Sequence, residues 1–261
     1  MNVNRTSMLY GTLVLTATSL ASQLLGFVYR IFLSRLIGAE VMGLYQLIMP
    51  VYAVILSITA VGLTVAVSNL SSEYHARKNP TAAAQVLRRC LRWFLILFAA
   101  VAAAVAIFYD PISVYLLGDA RTQLGLLLLL PCLLLTGIEN LHKHFFYGTG
   151  QVRPPAAVEL CEQFIRTGAV LGLLVLLLPR NPERTVGIIV LGMCTSEVFS
   201  SVTLVLLYRR FLSQTGGPPL LRGKPPGLNR RIPAIALPIA ATSLLGNLMG
   251  SANAVLIPQR L

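Results

Sequence analysis

The chain has 261 residues, 56% of them hydrophobic, with only 21 Lys and Arg and 9 Asp and Glu. An ordinary soluble domain of this length carries about 65 charged residues. That shortfall, with a mean hydropathy of +0.74, excludes a soluble globular enzyme, a disordered chain and a disulfide scaffold, and leaves a polytopic membrane protein. The net charge of +12 sits between apolar runs, so it reads as an orientation signal rather than as a nucleic-acid surface.

The first apolar run, 8–29, is long enough to cross a bilayer and is followed by further runs, so it is a retained helix rather than a signal peptide. The others cover 44–67, 95–109 (with a basic lead-in from 82), 123–145, 156–178, 186–207 and 232–257. None alternates as barrel strands do. Helix stoppers stand between them: Asn79-Pro80, Asp110-Pro111, Pro154-Pro155, Pro179 and Pro182. The longest break holds Gly216-Gly217-Pro218-Pro219 and Pro225-Pro226-Gly227. With the N-terminus inside, the inner segments hold Arg5, Arg77, Lys78, Arg88, Arg89, Arg92, Lys143, Arg153, Arg209, Arg210, Arg222, Lys224, Arg230 and Arg231. The outer segments hold Arg30, Arg35, Arg121, Arg180, Arg184 and Arg260. This asymmetry predicts a cytoplasmic N-terminus in a multi-pass protein of the cell membrane. The expected fold is all-α: a six-helix transmembrane lobe over 1–210, a cytoplasmic linker over 211–231, and a seventh helix over 232–261. An unpaired seventh span ending at Gln259-Arg260-Leu261 reads as the start of a truncated second lobe.

Several stretches carry a family resemblance. They are Gly26-Phe27-Val28-Tyr29-Arg30, Ser34-Arg35-Leu36-Ile37-Gly38, Gly43-Leu44-Tyr45-Gln46-Leu47, Met49-Pro50-Val51-Tyr52 and Gly62-Leu63-Thr64-Val65-Ala66-Val67-Ser68. Later come Phe146-Tyr147-Gly148-Thr149-Gly150, Glu162-Gln163-Phe164-Ile165-Arg166, and Leu237-Pro238-Ile239 running into Leu256-Ile257-Pro258. In this order they resemble the stage V sporulation protein B group of polysaccharide-export proteins. That group belongs to the multidrug/oligosaccharidyl-lipid/polysaccharide flippase superfamily, and the resemblance is to its N-terminal half. It implies two lobes that rock about a central cavity and move a lipid-linked sugar or peptidoglycan precursor across the membrane, with a place in spore envelope formation. The partners so implied are that lipid-linked saccharide, the membrane lipids and a missing second lobe.

A charge within a span costs at least ~2.5–3.5 kcal/mol on insertion scales, so each needs an account. Glu159, Glu162 and Arg166 fall at i, i+3 and i+7 on one helix face, and Glu162 to Arg166 is a favourable i, i+4 pair. Counting places Glu197 at the depth of Arg166 on the next helix. The candidate substrate-cavity residues are Arg30, Gln23, Glu159, Glu162, Arg166 and Glu197. In this reading Arg166 meets a cargo phosphate while the two glutamates hold it when the cavity is empty; a structural ion pair inside the bundle is the rival account. Arg30 closes the first run and either faces phosphate or snorkels to the interface. Glu139, Asn140, His142, Lys143 and His144 are expected as a surface cluster at a helix end. Gly168-x-x-x-Gly172 and Gly246-x-x-x-Gly250 are expected to allow close helix packing.

Nucleotide-cradling and hydrolytic motifs are absent from the sequence. The expectation is a transporter without catalytic residues, cofactor, metal or nucleic-acid partner. The alternatives are an ion-coupled small-molecule or drug exporter of the same superfamily, a membrane glycosyltransferase-type enzyme, and a non-transporting fragment.

Overall fold

A computed structural model of the chain describes residues 5–177, 181–214 and 227–256. The helices are α1 (Arg5–Leu56), α2 (Gly62–Ala76), α3 (Pro80–Ile107), the single turn α4 (Tyr109–Pro111), α5 (Gln123–Gly148), α6 (Arg153–Leu177), α7 (Pro182–Gln214) and α8 (Leu228–Leu256). No strand occurs among the described residues. Most of the Gly/Pro-rich linker and the ending Gln259-Arg260-Leu261 lie outside the described residues.

Six described stretches are long and apolar enough to cross a membrane, and the first runs unbroken from Gly11 to Ala76. Straight, those 66 residues would reach about 100 Å, roughly three times the hydrocarbon thickness. The chain turns at Gly38, whose φ of 76° and ψ of 176° are open to glycine and strained for other residues. The turn makes two crossings of this stretch, giving seven among the described residues. The first crossing does not close at Tyr29-Arg30 as the apolar run suggested. A charged residue need not end a helix, and the helix continues to the Gly38 break.

Close contacts set the direction of each crossing. Gly11 abuts Val152 and Gly26 abuts Gln163, so the first arm of α1 runs parallel to α6. Ile48 lies on Gly125 and Ser68 on Gly148, so the second arm with α2 runs parallel to α5. Gly187 meets Leu124 near the start of both helices, and the Tyr208 ring meets His142 further on, so α5 and α7 are parallel. Val170 packs on Gly192, and Arg166 bonds Ser196, so α6 and α7 are antiparallel. Ala236 on Gly62 and Ser243 on Ser57 make α8 antiparallel to the second arm. Phe94 lies on Gly137 and Gln123 donates to Asp110, so α3 runs antiparallel to α5, and neighbouring crossings in the chain alternate in direction, as short connections require.

Local chemistry agrees with these boundaries. Asn79 caps α3, accepting from the Ala82 N–H at 3.1 Å, with Pro80 at the first helical position. A π-helical turn, Ser57–Val61, joins α1 to α2. It forms the seam for α8: Ser57 and Ser243 hydroxyls meet at 3.2 Å, and Asn247 donates to the Ala53 carbonyl at 3.4 Å. The first part of α8 buries Leu228, Ile232 and Ala236 in the core shared by α2, α3 and α5. Further along, Leu245 and Met249 are 62% and 70% exposed. The seventh crossing is therefore buried along its first part, while further along it is held by Ser243 and Asn247 on one face and leaves Leu245 and Met249 open on another.

Close packing rests on other glycines than those expected. Gly168, Gly172, Gly246 and Gly250 have no neighbour at all where a Cβ would stand. Gly62 instead lies against the Ala236 backbone, Gly148 against Ser68, Gly192 against Val170, and Gly137 beneath the Phe94 ring. A four-residue spacing marks glycines sharing a face, while packing needs only one small residue where two backbones cross. Gly62→Val should lower thermal stability in detergent by about 2 kcal/mol, since overpacking a close crossing costs about 1–3. Gly168→Ala should leave it unchanged or slightly raised.

Between α3 and α5, Asp119 accepts from the Arg121 backbone N–H at 2.9 Å and pairs with its guanidinium at 2.8 Å. The Arg121 bond holds the Asp119 carboxyl below its ordinary value of 3.8. A depressed folded value means that the stabilisation is complete above pH 3.8 and fades as pH falls through the lower folded value. Hydrogen exchange over residues 112–122, corrected for intrinsic rate, should quicken on that acidification. In Asp119→Asn the exchange should be fast throughout, with no such transition.

Candidate substrate groove and buried charge network

Two features carry the polar chemistry. The first is a groove of about 570 Å³ between the two arms of α1 and the second half of α8. Its walls are Met42, Met49, Pro50 and Ala53, with Tyr45, Gln46, Tyr52 and Asn247 supplying neutral polar groups. Arg30 is the one charged side chain among the lining residues. It comes from the last third of the first helical arm, eight residues before the Gly38 turn that folds the second arm back across it.

The second feature is a charge network where α5, α6 and α7 pack together. Each helix offers one face: Glu139 and Lys143 from α5, Glu159, Glu162 and Arg166 from α6, Ser196, Glu197 and Ser200 from α7. The Arg166 Nη2 donates to Glu197 Oε1 at 2.9 Å and also to Glu162, while its Nε donates to the Ser196 hydroxyl at 3.3 Å. Lys143 Nζ stands 3.1 Å from Glu139 and 3.4 Å from Glu159, and the Ser200 hydroxyl donates to Glu139 at 2.8 Å. Glu197 is 2% exposed and Glu139 3%. At such burial an unpaired charge is costly, and pairing with added hydrogen bonds is what makes it tolerable.

Oxygens of Glu139, Glu162 and Glu197 all lie within 4.8 Å of one another. Three carboxylates are a donor set for a hard cation. Lys143 pairs with Glu139, and Arg166 with Glu162 and Glu197, while Glu197 Oε2 is buried with no hydrogen-bond partner among the described residues.

The two features touch through tyrosines. Tyr52 lines the groove and donates to Thr136 of α5 at 3.1 Å; Tyr45 lines it and contacts the Met193 sulfur of α7 at 3.7 Å. Both lie within electrostatic reach of Arg166.

The sequence-derived cavity residues therefore divide. Arg30 is in the groove wall. Glu159, Glu162, Arg166 and Glu197 are together in the buried network behind it. Gln23 is exposed on the first arm and lines neither feature. The proximity of Arg166 to both Glu162 and Glu197, expected from helix spacing and depth, is found.

The expected surface cluster on α5 is instead interior. α5 continues to Gly148, so Glu139 and Lys143 are more than a turn from its end and join the network. His142 is buried, its Nδ1 at 2.7 Å from the Ile138 carbonyl and its ring edge-on to Tyr208. His144 meets Tyr147. The two rings diverge, as a two-residue offset on a helix requires. The i, i+4 spacing of Glu139 and Lys143 was the available sign of their pairing, and acids at matching depth on α6 and α7 were the sign of their neighbours.

The profile of the polysaccharide biosynthesis protein family matches residues 8–261. The chain belongs to that family. It is 28% identical to stage V sporulation protein B of Bacillus subtilis (strain 168) over 202 residues, 77% of this chain and 39% of that protein. The chain thus spans about two fifths of that relative's length. In fold it is similar to a MOP superfamily transporter from Pyrococcus furiosus, with a TM-score of 0.65 and 18% identity, covering 91% of this chain and 51% of that one. It is similar also to a MATE protein solved in complex with Br-NRF, with a TM-score of 0.64 and 18% identity, covering 91% and 52%. This family member is a multi-pass membrane protein with the helical fold of those transporters.

The network yields a stability prediction. Removing the cation by Arg166→Ala leaves two buried carboxylates facing each other, at a cost of about 3–5 kcal/mol. Adding Glu197→Gln removes one of the stranded charges, so the double variant should be more stable than Arg166→Ala alone. Thermal unfolding of the four members of this cycle in detergent measures the coupling.

Proposed function

We propose that this chain forms one lobe of a flippase that moves a lipid-linked oligosaccharide, or a peptidoglycan or polysaccharide precursor, across the cell membrane by alternating access. In this reading residues 1–210 are the lobe, 211–231 the cytoplasmic linker, and 232–261 the first helix of a second lobe. The N-terminus is cytoplasmic, as the Lys/Arg asymmetry favours. A place in spore envelope formation is the finer reading suggested by the likeness to stage V sporulation protein B. The protein binds and moves its cargo without covalent chemistry on it.

The observation that carries the reading is a lone arginine in a groove otherwise lined by apolar and neutral groups. A planar guanidinium matches phosphate geometry with paired donors, and apolar walls suit a lipid chain. Tyr45, Gln46 and Asn247 supply hydrogen bonds for the headgroup.

Phosphate contact is assigned to Arg30 rather than to Arg166. Arg166 already carries two carboxylates, and an arriving anion would have to displace both. The network's role is to hold α5, α6 and α7, with Tyr45 and Tyr52 on their groove side, as one body that moves together.

The test is transport in proteoliposomes containing the two-lobed protein and a fluorescent lipid-linked saccharide. Arg30→Ala should reduce uptake at least about tenfold, because a hydrogen bond to a charged group contributes about 1.5–3 kcal/mol. Arg30→Lys should recover part of it, retaining charge but not the paired donors. Unchanged transport in Arg30→Ala would remove the assignment.

A further inference from the structure

A second cleft, of about 320 Å³, lies where α3 meets the start of α8, and it shares no lining residue with the groove. Its walls are Arg89, Arg92, Trp93 and Ile96 of α3 and Asn229 of α8. The α3 residues fall at i, i+3, i+4 and i+7, so one helix face supplies them all. Arg89 donates to the Asn229 side-chain oxygen across the two helices. Neither α3 nor α8 contains an Asp or Glu. Glu73, the one acid of the α2–α3 hairpin, is occupied by Arg77 at 2.8 Å and by Arg231. Arg92 and Trp93 are exposed. Among the described residues the cleft therefore has positive charge with no acid to compensate it.

Its depth indicates what would compensate it. From Trp93 to Ile107 every residue of α3 is apolar, about 22 Å of helix at 1.5 Å per residue. Arg89 and Arg92 therefore stand at the edge of the hydrocarbon layer. Trp93, the chain's one tryptophan, stands at the interfacial level where indole rings concentrate. Beyond it, Ile96 is 64% exposed and Ala99, Ala100 and Ala103 are exposed. They leave a shallow apolar track leading away from the arginines into the bilayer. A soluble anion would use the charge alone, whereas the charge, the interfacial indole and the track together match a phosphodiester headgroup with an acyl chain.

We propose that Arg89, Arg92, Trp93 and Asn229 form a site for an anionic phospholipid of the bilayer, separate from the cargo groove. The phosphodiester accepts from both guanidiniums, the Asn229 amide donates to the headgroup, and one acyl chain lies along Ile96 and the alanines. Bound there, the lipid bridges α3 and the first turn of α8 at the end of the bundle where Arg231 meets Glu73.

The test is native mass spectrometry of the intact chain released from mixed detergent micelles containing equal phosphatidylglycerol and phosphatidylcholine. Wild type should retain phosphatidylglycerol preferentially. Each arginine replaced by glutamine should reduce that preference by about fivefold, the value of one interfacial arginine on an anionic membrane, and Arg89→Gln/Arg92→Gln should bring the two lipids near parity. Arg89→Lys/Arg92→Lys should keep most of the preference, and Arg92→Gln, altered at an exposed position only, serves if the double variant does not fold. Inorganic phosphate added at the lipid's concentration should not displace phosphatidylglycerol. Equal retention of the two lipids by wild type, an undiminished preference in Arg92→Gln, or displacement by free phosphate would each overturn the proposal.

Discussion

The cost of a charge in a medium that cannot solvate it governs this molecule. Arg166 would be expensive if it faced lipid. It is paid for by Glu162 one turn away on its own helix and by Glu197 at 2.9 Å on the next. Lys143 does the same for Glu139 and Glu159. Because each cation reaches acids on more than one helix, neither α5, α6 nor α7 can slide or rotate alone without stranding a buried charge. Apolar packing in a membrane tolerates such slippage far better, since lipid tails solvate a leucine as well as another helix does. The network thus acts as a registry device for three of the seven crossings.

The groove depends on that registry. Its wall tyrosines are anchored from behind, Tyr52 to Thr136 on α5 and Tyr45 against Met193 on α7. Its opposite wall depends on the Gly38 turn, which brings the second arm of α1 over Arg30, and on the polar seam that seats α8 on the π-helical turn. Three devices of different kinds therefore meet at one place: a left-handed glycine, a row of hydroxyl and amide contacts, and a buried ion-pair network. What they enclose is Arg30, which has no ion-pair partner among the described residues. The proposed division of labour is between Arg166, paired with the protein's own carboxylates, and Arg30, which we propose meets the ligand.

Much of this was legible in the sequence because hydrocarbon imposes simple rules. Apolar runs of sufficient length and the stoppers between them located the crossings, and depth counting across a short loop paired Arg166 with Glu197. What was missed follows from information that a linear pattern does not hold. The first apolar run ends at Arg30, yet the crossing ends only where the positive φ at Gly38 turns the chain. Glu139 and Lys143 stand among polar neighbours, a pattern typical of a surface, yet they face inward on a helix that continues to Gly148. The glycines spaced by four face open space, and those that permit contact are single residues opposite a backbone on another helix. Each miss concerns which face meets which partner, and that is decided by packing rather than by composition.

The central claim is that cargo enters the Arg30 groove and not the network behind it. Site-specific photo-crosslinking with a lipid-linked pyrophosphoryl saccharide addresses this directly, with the reactive group placed at Gln46 in the groove wall or at Leu176 on the exposed outer face of α6. The account predicts a strong adduct from Gln46, lost when unlabelled lipid-linked saccharide is added in excess, and only weak, uncompeted labelling from Leu176. Equal labelling from the two positions, or labelling at Gln46 that excess saccharide does not suppress, would contradict it.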